Sequence, residues 1–236
     1  MIAVSIIVPC FNAYSKIGRC LASLRAINFP SGEYEVIFVD DKSNDGTYEM
    51  LKDECARENN WSVTQLESNS GSPSKPRNEG VKSAKGEYIF YLDCDDEILP
   101  CAIGSYYKHA VDNNACLVRG SLLADNGKRK LLMNTIPGWS SSLSKKEKII
   151  KIIKKQSTTP PQLVRKRLVT SNKIKWPEEI KIGEDTLFLI DLLCSADRVE
   201  YLDEPSYVYN KRPALTLSTT QAYGEKELQD HIFVWS

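Results

Sequence analysis

The stretch Asp93-Cys94-Asp95-Asp96, which follows the apolar run 88–92, holds the side chains best suited to chemistry. Three carboxylates within four positions repel one another unless a cation lies among them. Mg²⁺ and Mn²⁺ prefer oxygen ligands, and Mg²⁺ is commonly held by one or two carboxylates together with water and phosphate oxygens. The stretch therefore predicts a metal site that holds a diphosphate, and helix capping by Asp95 and Asp96 ahead of residues 100–112 is an equal alternative.

Three further polar segments follow apolar runs, namely Pro9–Asn12, Asp40-Asp41 and the loop 69–78. The carboxylate of Asp41 could accept a hydrogen bond from a base or a ribose, whereas Asp40 could serve the structure alone. Small side chains in the loop would let a ligand approach the backbone, and a following helix N-terminus favours anions. Arg77 adds guanidinium donors there. Without these neighbours, a proline-stiffened connection would be the better interpretation of the loop.

Gly183-Glu184-Asp185 precedes the apolar run 186–196. Gly183 permits a sharp turn and Asp185 lies near the expected N-cap, so capping is the simpler interpretation of the motif alone. If the pair instead faces a bound donor, Asp185 is placed to act as a general base.

The first half of the chain alternates strand-like and helix-like patterns. Continuous apolar, β-branched runs predict buried strands at 4–10, 34–41, 61–68 and 87–93. Helical spacing predicts intervening helices at 17–27, 45–58 and, from about Pro76, within 69–86. This order predicts an α/β fold with a Rossmann-like, mostly parallel sheet flanked by helices. Ligands of such sheets bind at the carboxyl ends of the strands, where all the polar segments of this half fall.

The second half is less regular. The pattern predicts helices at 100–112, 144–155 and 185–196, strands at 115–124 and 198–212, and a turn at 126–130. We therefore expect a mixed arrangement of strands there.

Composition limits the class of protein. At 236 residues the chain suits one domain. It contains no run of about 18 apolar residues, so the sequence predicts no helix that spans a bilayer. The apolar N-terminus lacks a basic region and reads as a strand rather than a signal peptide. Seven cysteines without a C-x-x-C pair and two distant histidines argue against a zinc site and a disulfide framework. Reduced cysteines predict a cytoplasmic protein.

Charge is unevenly placed although the net charge is zero. Residues 1–100 carry a net −6 and residues 101–236 a net +6, and 126–181 holds 15 basic and 3 acidic residues. In a helix over 144–155, one stripe would contain Lys145, Lys148, Lys151 and Lys155. The stripe predicts an anionic acceptor or peripheral contact with the inner face of the plasma membrane, and a merely solvated helix face is an equal alternative.

Several segments together resemble the inverting family 2 glycosyltransferases of the GT-A fold. They are SIIVPCFN, VIFVDDKSNDGT, SGSPSKPRNEGVKSAKGEYIFYLDCDD and IGEDTLF, and the resemblance covers nearly the whole chain. SGSPSKPRN is most similar to the wall teichoic acid N-acetylglucosaminyltransferases and their capsule-building relatives. The resemblance implies a single GT-A domain over 1–236, in which 1–98 binds the nucleotide sugar and 99–236 binds the acceptor.

The resemblance also implies an activity and its residues. A sugar would move from a UDP-sugar, such as UDP-GlcNAc, UDP-GalNAc, UDP-Glc or UDP-Gal, to a hydroxyl of a bacterial cell-surface glycan or polyol-phosphate. Asp185 would be the catalytic base and Glu184 would position the acceptor. Asp93 would face the ribose, and Asp95 of the same D-x-D motif would bind Mn²⁺ or Mg²⁺. The implied donor-binding residues are Pro9, Phe11, Asn12, Asp41, Asn69, Arg77, Asp93, Asp95 and, from a looser match, Lys211, Arg212 and Ser218.

Other classes fit less well. A metal-dependent nucleotidyltransferase normally has a glycine-rich basic loop after its first strand, where this chain has PCFNAYSK. A receiver domain should have its paired Asp at the end of the first strand, whereas VDD ends the second. A non-catalytic module that binds nucleotide sugars remains an alternative. We expect no nucleic-acid partner.

Overall fold

A computed structural model gives the fold of residues 1–155 and 162–210. Its first half consists of β1 (Val4–Cys10), α1 (Gly18–Arg25), β2 (Tyr34–Asp40), α2 (Thr47–Cys55), β3 (Trp61–Gln65), α3 (Ser74–Ser83) and β4 (Tyr88–Tyr91). The second half consists of β5 (Glu97–Ile98), α4 (Ala102–Asp112), β6 (Leu117–Asp125), β7 (Lys130–Met133), α5 (Lys145–Ile153), β8 (Gln162–Arg165), α6 (Lys166–Ser171), α7 (Glu184–Ser195) and β9 (Val199–Asn210).

The described strands form one sheet in the order β3-β2-β1-β4-β8-β6-β9-β5, with β7 paired to β6. The strands β3, β2, β1 and β4 are mutually parallel, as predicted. β8 is antiparallel to both β4 and β6, and β9 is parallel to β6. Two antiparallel steps restore the direction, so β6 and β9 point the same way as β4. The carboxyl ends of both halves therefore lie at one edge of the sheet.

Alternate residues of the central strands pack into two cores. Ile6 and Val8 of β1 face a core shared with α1 and α4, while Ile7 and Ile89 face a core shared with α6 and α7. This explains the continuous apolar runs, because a strand covered on both faces must be apolar at every position. Each fully buried side chain of this kind contributes roughly 1.5–3 kcal/mol relative to exposure. The strands consequently hold their polar ends at fixed positions.

Several boundaries differ from the prediction. β3 ends at Gln65 and β4 at Tyr91, because the residues after them turn into the loops of the carboxyl edge. The sequence pattern missed β5, β8 and α6, which have two, four and six residues. Elements this short show no measurable period, so only pairing with neighbours reveals them. The predicted turn over 126–130 leads into β7, in which Leu131 and Leu132 are exposed and Met133 packs against the core.

Helix α5 forms as predicted, with Ser144 and Glu147 in a reciprocal capping box. The predicted basic stripe is wrong at Lys148, whereas Lys145 and Lys155 are exposed. Lys148 is 7% exposed, and its Nζ lies 3.0 Å from Glu200 Oε1 and 3.0 Å from the carbonyl oxygen of Val199. Lys145 and Lys151 donate to backbone carbonyls at 2.8 and 3.1 Å. These ammonium groups hold α5 against the protein, since a buried cation needs a partner.

Two features of the structure bear on the expectations drawn from composition. All seven cysteines have free thiols. Within residues 1–155 and 162–210, no helix has the length and apolar character needed to cross a membrane.

Candidate active site

At the end of β2, Asp41 is buried and holds the loop that follows β3. Its Oδ1 accepts from the Ser70 amide at 2.9 Å, and its Oδ2 accepts from Ser70 Oγ at 2.9 Å and Asn69 Nδ2 at 3.1 Å. Burial raises the pKa of Asp41, and the hydrogen bonds from Ser70 oppose that rise. The fold thus brings the predicted donor residues Asp41 and Asn69 into direct contact.

Asp40 has the structural role that the sequence left open. It is fully buried, and its carboxylate accepts from the Ser43 amide at 3.0 Å and from Gln65 Nε2 at 2.9 Å. Asp40 therefore joins the loop after β2 to the last residue of β3.

The loop after β1 completes this part of the edge. Asn12 adopts a left-handed conformation with φ of 43°. Its amide donates to Ser43 Oγ at 2.9 Å, and its Oδ1 accepts from the Asn44 amide at 3.1 Å. Pro9 is buried in β1, whereas Phe11 is 44% exposed beside it. Phe11 thus offers an accessible ring at the same edge.

Arg77 joins the two acidic motifs. The side chain is only 1% exposed, and its Nη2 lies 2.7 Å from Asp93 Oδ1. Its Nη1 lies 3.8 Å from Glu184 Oε1, and its guanidinium stacks on Trp176 at 4.2 Å. A cation beside the acidic stretch is therefore supplied by the protein itself. The D-x-D and E-D motifs, 90 residues apart in the chain, meet at this one group.

Trp176 and Asn78 were missed by the sequence analysis. The Trp176 ring stacks on Phe188 of α7 at 4.0 Å, and the Asn78 side chain bonds both the amide and the carbonyl of Trp176 at 2.9 Å. Asn78 adjoins Arg77, so its position was a usable signal. Trp176 lies in an irregular segment, and no local pattern indicates its role.

The three carboxylates of the acidic stretch have different surroundings. Asp93 pairs with Arg77, and Asp96 is 2% exposed and accepts from the Asn210 amide at 2.9 Å. Burial first, and the charge of Asp93 second, raise the pKa of Asp96 well above its usual value. Asp95 is exposed, and its pKa is raised by desolvation and by Asp93. Asn210, also missed by the sequence analysis, therefore secures the buried member of the stretch.

This arrangement fits a divalent metal at Asp95. Its two neighbouring carboxylates are engaged by Arg77 and Asn210, so the accessible carboxylate is that of Asp95. Among the residues with described positions, no group of three or more acidic, histidine or cysteine side chains could hold a metal alone. One carboxylate completed by phosphate and water oxygens is a common arrangement for Mg²⁺.

Glu184 and Asp185 form the first turn of α7, after Gly183 with φ of 89°. Burial raises the pKa of Glu184 to about 7, and Arg77 opposes that rise. Asp185 is half-buried, and its Oδ1 accepts from the Thr186 amide at 2.8 Å. Desolvation lowers the pKa of the buried Arg119 of β6 to about 10, opposed in part by the charge of Asp185. The charges of Glu184 and Asp185 both act on Arg77, whereas that of Asp185 alone acts on Arg119, more weakly than Tyr106 and Tyr207 do.

Three predicted donor residues, Lys211, Arg212 and Ser218, lie outside the described residues.

The profile of glycosyl transferase family 2 matches residues 5–169. This chain belongs to that family. A poly(ribitol-phosphate) β-glucosyltransferase of Bacillus spizizenii is 32% identical over 209 residues, which cover 87% of this chain and 32% of that protein. The poly(ribitol-phosphate) β-N-acetylglucosaminyltransferase TarS of Staphylococcus aureus is 33% identical over 216 residues, covering 89% and 35%. The chain spans about a third of the length of these curated relatives.

Solved structures agree with this assignment. The structure of TarS residues 1–349 with UDP-GlcNAc matches with a TM-score of 0.83 and 29% identity, covering 99% of this chain and 65% of that one. The predicted family and GT-A fold are confirmed. Family membership also sets aside the nucleotidyltransferase and receiver alternatives.

Proposed function

We propose that this chain transfers a sugar, with inversion, from a UDP-sugar to a hydroxyl of a polyol-phosphate polymer of the bacterial cell surface. The observation that carries the proposal is the meeting of Asp93 and Glu184 at Arg77. One side chain therefore contacts residues of both the D-x-D and the E-D motif, which supports a donor site and a base at the same edge of the sheet. The names of the two curated relatives include poly(ribitol-phosphate), and the matched TarS structure contains UDP-GlcNAc. Both support the proposal.

The donor would lie along the carboxyl edge of β1, β2 and β4. Phe11, Asn12, Asp41 and Asn69 would contact the nucleotide, with Pro9 supporting their loops. Asp93 would face the ribose. Arg77, whose guanidinium is paired with Asp93, would contact the nucleotide beside that carboxylate.

The acceptor half would supply the proton transfer. Asp185 takes the proton of the acceptor hydroxyl while that oxygen attacks the anomeric carbon from the face opposite UDP. The bond between that carbon and the diphosphate breaks in the same displacement, so the configuration inverts and the enzyme needs no nucleophile. Glu184, held near Arg77, positions the acceptor. A Mn²⁺ or Mg²⁺ ion held by Asp95 would stabilise the negative charge of the leaving diphosphate.

The proposed location is the cytoplasm, with peripheral contact at the inner face of the plasma membrane. Seven free thiols support the first part, because disulfides are rare in the cytosol. The exposed residues Lys128, Arg129 and Lys130, which adjoin the exposed Leu131 and Leu132, support the second part.

A transfer assay tests the proposal. The chain would be incubated with UDP-GlcNAc, UDP-Glc, UDP-GalNAc or UDP-Gal, with poly(ribitol-phosphate), and with Mn²⁺, Mg²⁺ or EDTA. We expect one UDP-sugar to be transferred in a metal-dependent reaction and the product, examined by NMR, to have the inverted anomeric configuration. Thermal stabilisation by a UDP-sugar without transfer or hydrolysis would instead identify a non-catalytic binding module.

A further inference from the structure

Two adjoining cavities lie beside helices α3 and α6. The first, of about 250 Å³, is lined by one side of α3 and by residues 169–178. The second, of about 450 Å³, is lined by Gly86, Glu87 and residues 165–167. Thr170 contributes to both, so the cavities form one continuous surface, which we call the α3–α6 surface.

The α3–α6 surface is rich in cations. Its lining contains two carboxylates, Glu87 and Glu178, and six basic side chains: Lys82, Arg165, Lys166, Arg167, Lys173 and Lys175. Lys82 pairs with Glu79, and Arg165 is engaged by the Tyr88 hydroxyl. Arg167, Lys173 and Lys175 are exposed and have no ion pair or side-chain hydrogen bond within the described residues. Three cations are therefore available to a partner.

Helix α5 differs in this respect, although it is the most basic segment of the sequence. The ammonium groups of Lys145, Lys148 and Lys151 donate hydrogen bonds to backbone carbonyls, and that of Lys148 also donates to Glu200. Lys146, Lys154 and Lys155 of the same region are exposed, but none of them lines either cavity. The α3–α6 surface differs in that its three available cations lie along two adjoining cavities, which suits an anionic partner.

The position of the surface connects it to the active site. Asn78 lines the first cavity and adjoins Arg77, and its Nδ2 also donates to Glu178 Oε1 at 2.9 Å. The far end, at Arg165, lies beside Tyr88, the first residue of β4. The surface thus runs from the neighbourhood of the reaction towards the opposite edge of the sheet. An extended occupant with repeated negative charges fits it better than a compact ligand.

A polymer also fits better than a bilayer. Membrane-surface sites combine basic residues with apolar side chains that enter the lipid. The large exposed apolar residues of the described chain all lie elsewhere: Met1, Phe11, Tyr14, Val111, Leu131, Leu132 and Ile150.

We propose that the α3–α6 surface binds the phosphodiester backbone of the anionic acceptor polymer, away from the repeat unit whose hydroxyl reacts. The inference rests on the proposed function, because it takes the acceptor to be a polyol-phosphate. Attraction to Arg167, Lys173 and Lys175 would weaken with salt, since exposed charges are screened over about 8 Å at physiological ionic strength.

The test compares two charge-reversal variants that change the net charge equally. The first is Arg167→Glu/Lys173→Glu/Lys175→Glu. The matched control is Lys146→Glu/Lys154→Glu/Lys155→Glu, whose three lysines are exposed on or just after α5. Binding of poly(ribitol-phosphate) is measured without donor over a range of salt concentrations. Transfer is then measured with the long polymer and with an acceptor of one or two repeat units.

We expect the first variant to lose about tenfold or more in polymer affinity, with a flatter salt dependence, because three attractive charges become repulsive. Its KM for the long polymer should rise in parallel, while kcat and the KM for the short acceptor stay within about twofold. UDP affinity should be unchanged, which excludes misfolding as the cause. The control variant should retain wild-type affinity within about twofold, since its charges lie outside the surface.

Three results would overturn the inference. One is equal weakening by both variants, which would show a general charge effect. Another is failure of the wild-type chain to bind the polymer without donor. The third is loss of binding to phosphatidylglycerol vesicles by the first variant while polymer binding is retained, because the surface would then be a membrane site. Failure of the proposed function is distinguishable, since it appears as absent transfer to any acceptor regardless of polymer binding.

Discussion

We propose that residues 1–98 form the donor half and residues 99–236 the acceptor half. Among the described residues, these two halves hold their charged side chains in different ways. In the donor half, carboxylates bond to backbone amides a few residues further along the chain: Asp45, just before α2, accepts from the Thr47 amide at 3.0 Å, and Asp40 accepts from the Ser43 amide at 3.0 Å. In the acceptor half, charges lie inside the protein and pair over long distances in sequence. Lys148 and Glu200, 52 residues apart, are the clearest case.

The difference follows from the cost of burial. A carboxylate beside a strand end can be satisfied by amide and hydroxyl donors of the loops around it, as Asp40 and Asp41 are although both are buried. A charge inside the protein loses its hydration and must be compensated by an opposite charge or by several hydrogen bonds. Donor-site geometry therefore depends on local loops, and acceptor-site geometry depends on tertiary pairing. Arg77 combines both patterns. It is buried, like the charged residues of the acceptor half, and it contacts Asp93 of the donor half.

The largest expected effect tests whether the two halves are separable in function. Asp185→Asn should reduce transfer by about 10²–10⁴-fold, the usual range for loss of a general base. UDP affinity should change little, because the residue belongs to the acceptor half. Calorimetry with UDP and a transfer assay provide the two measurements. A collapse of UDP affinity would instead make Asp185 a donor-binding or structural residue.

The next effect concerns stability of the acceptor half. Lys148→Met should lower the free energy of unfolding by about 3–5 kcal/mol, because Glu200 would remain buried without its cation. Urea denaturation measures the change. Lys146→Met, at an exposed neighbouring position, is the matched control and should cost less than about 0.5 kcal/mol. Equal costs for the two variants would show that the buried pair does not hold α5 in place.

A smaller effect is expected at the metal site of the donor half. Asp95→Ala should reduce transfer roughly hundredfold and remove its dependence on Mn²⁺ or Mg²⁺, because an oxygen ligand and its charge are lost. Folding should be nearly unaffected, since Asp95 is exposed. Activity and thermal unfolding with and without EDTA distinguish these outcomes. Metal-dependent activity at the wild-type level in this variant would contradict the metal assignment.

The smallest expected effect is a pH dependence of activity caused by Glu184, which lies beside Arg77. Since the pKa of Glu184 is about 7, the group is protonated below that pH and faces Arg77 as a carboxylate above it. We expect wild-type kcat/KM to rise several-fold from pH 6 to pH 8, and Glu184→Gln to remove this rise. A persisting rise in the variant would assign it to another group.

The same titration acts on stability with a defined sign. The folded pKa of Glu184 is raised above its ordinary value of 4.5, so the folded state binds the proton more tightly than the unfolded state does. Its contribution to stability is therefore present at low pH and is lost as the pH rises from about 4.5 through about 7. The loss is on the order of 1–3 kcal/mol, and Glu184→Gln should flatten the dependence. Thermal unfolding at several pH values measures it.

Sequence patterns predicted the donor half well. Four strands were predicted within a few residues of their observed positions, because full burial on both faces leaves continuous apolar runs. The edge residues Asp41, Asn69 and Asp93 followed from those strands, since a parallel sheet brings its carboxyl ends together. The acceptor half was predicted less completely: β5, β8 and α6 are too short to leave a period.

The basic helix shows why pattern alone fails for charged residues. The spacing of Lys145, Lys148 and Lys151 indicates a helix, and the helix is present. Spacing does not say which side of a helix meets the protein, because a lysine can be solvated or paired inside it. Only the approach of Glu200 on β9 decides that Lys148 is buried.

The amino-acid sequence alone predicted the succession of strands and helices along the first half, the carboxylates that follow its strands, and the resemblance to family 2. These depend on local burial patterns and on residues adjacent in the chain. Tertiary structure decided that Arg77 lies between Asp93 and Glu184, that Trp176 supports it, and which lysines remain free. Those facts depend on contacts between residues far apart in sequence, and the burial that enforces such contacts exists only once the chain is folded.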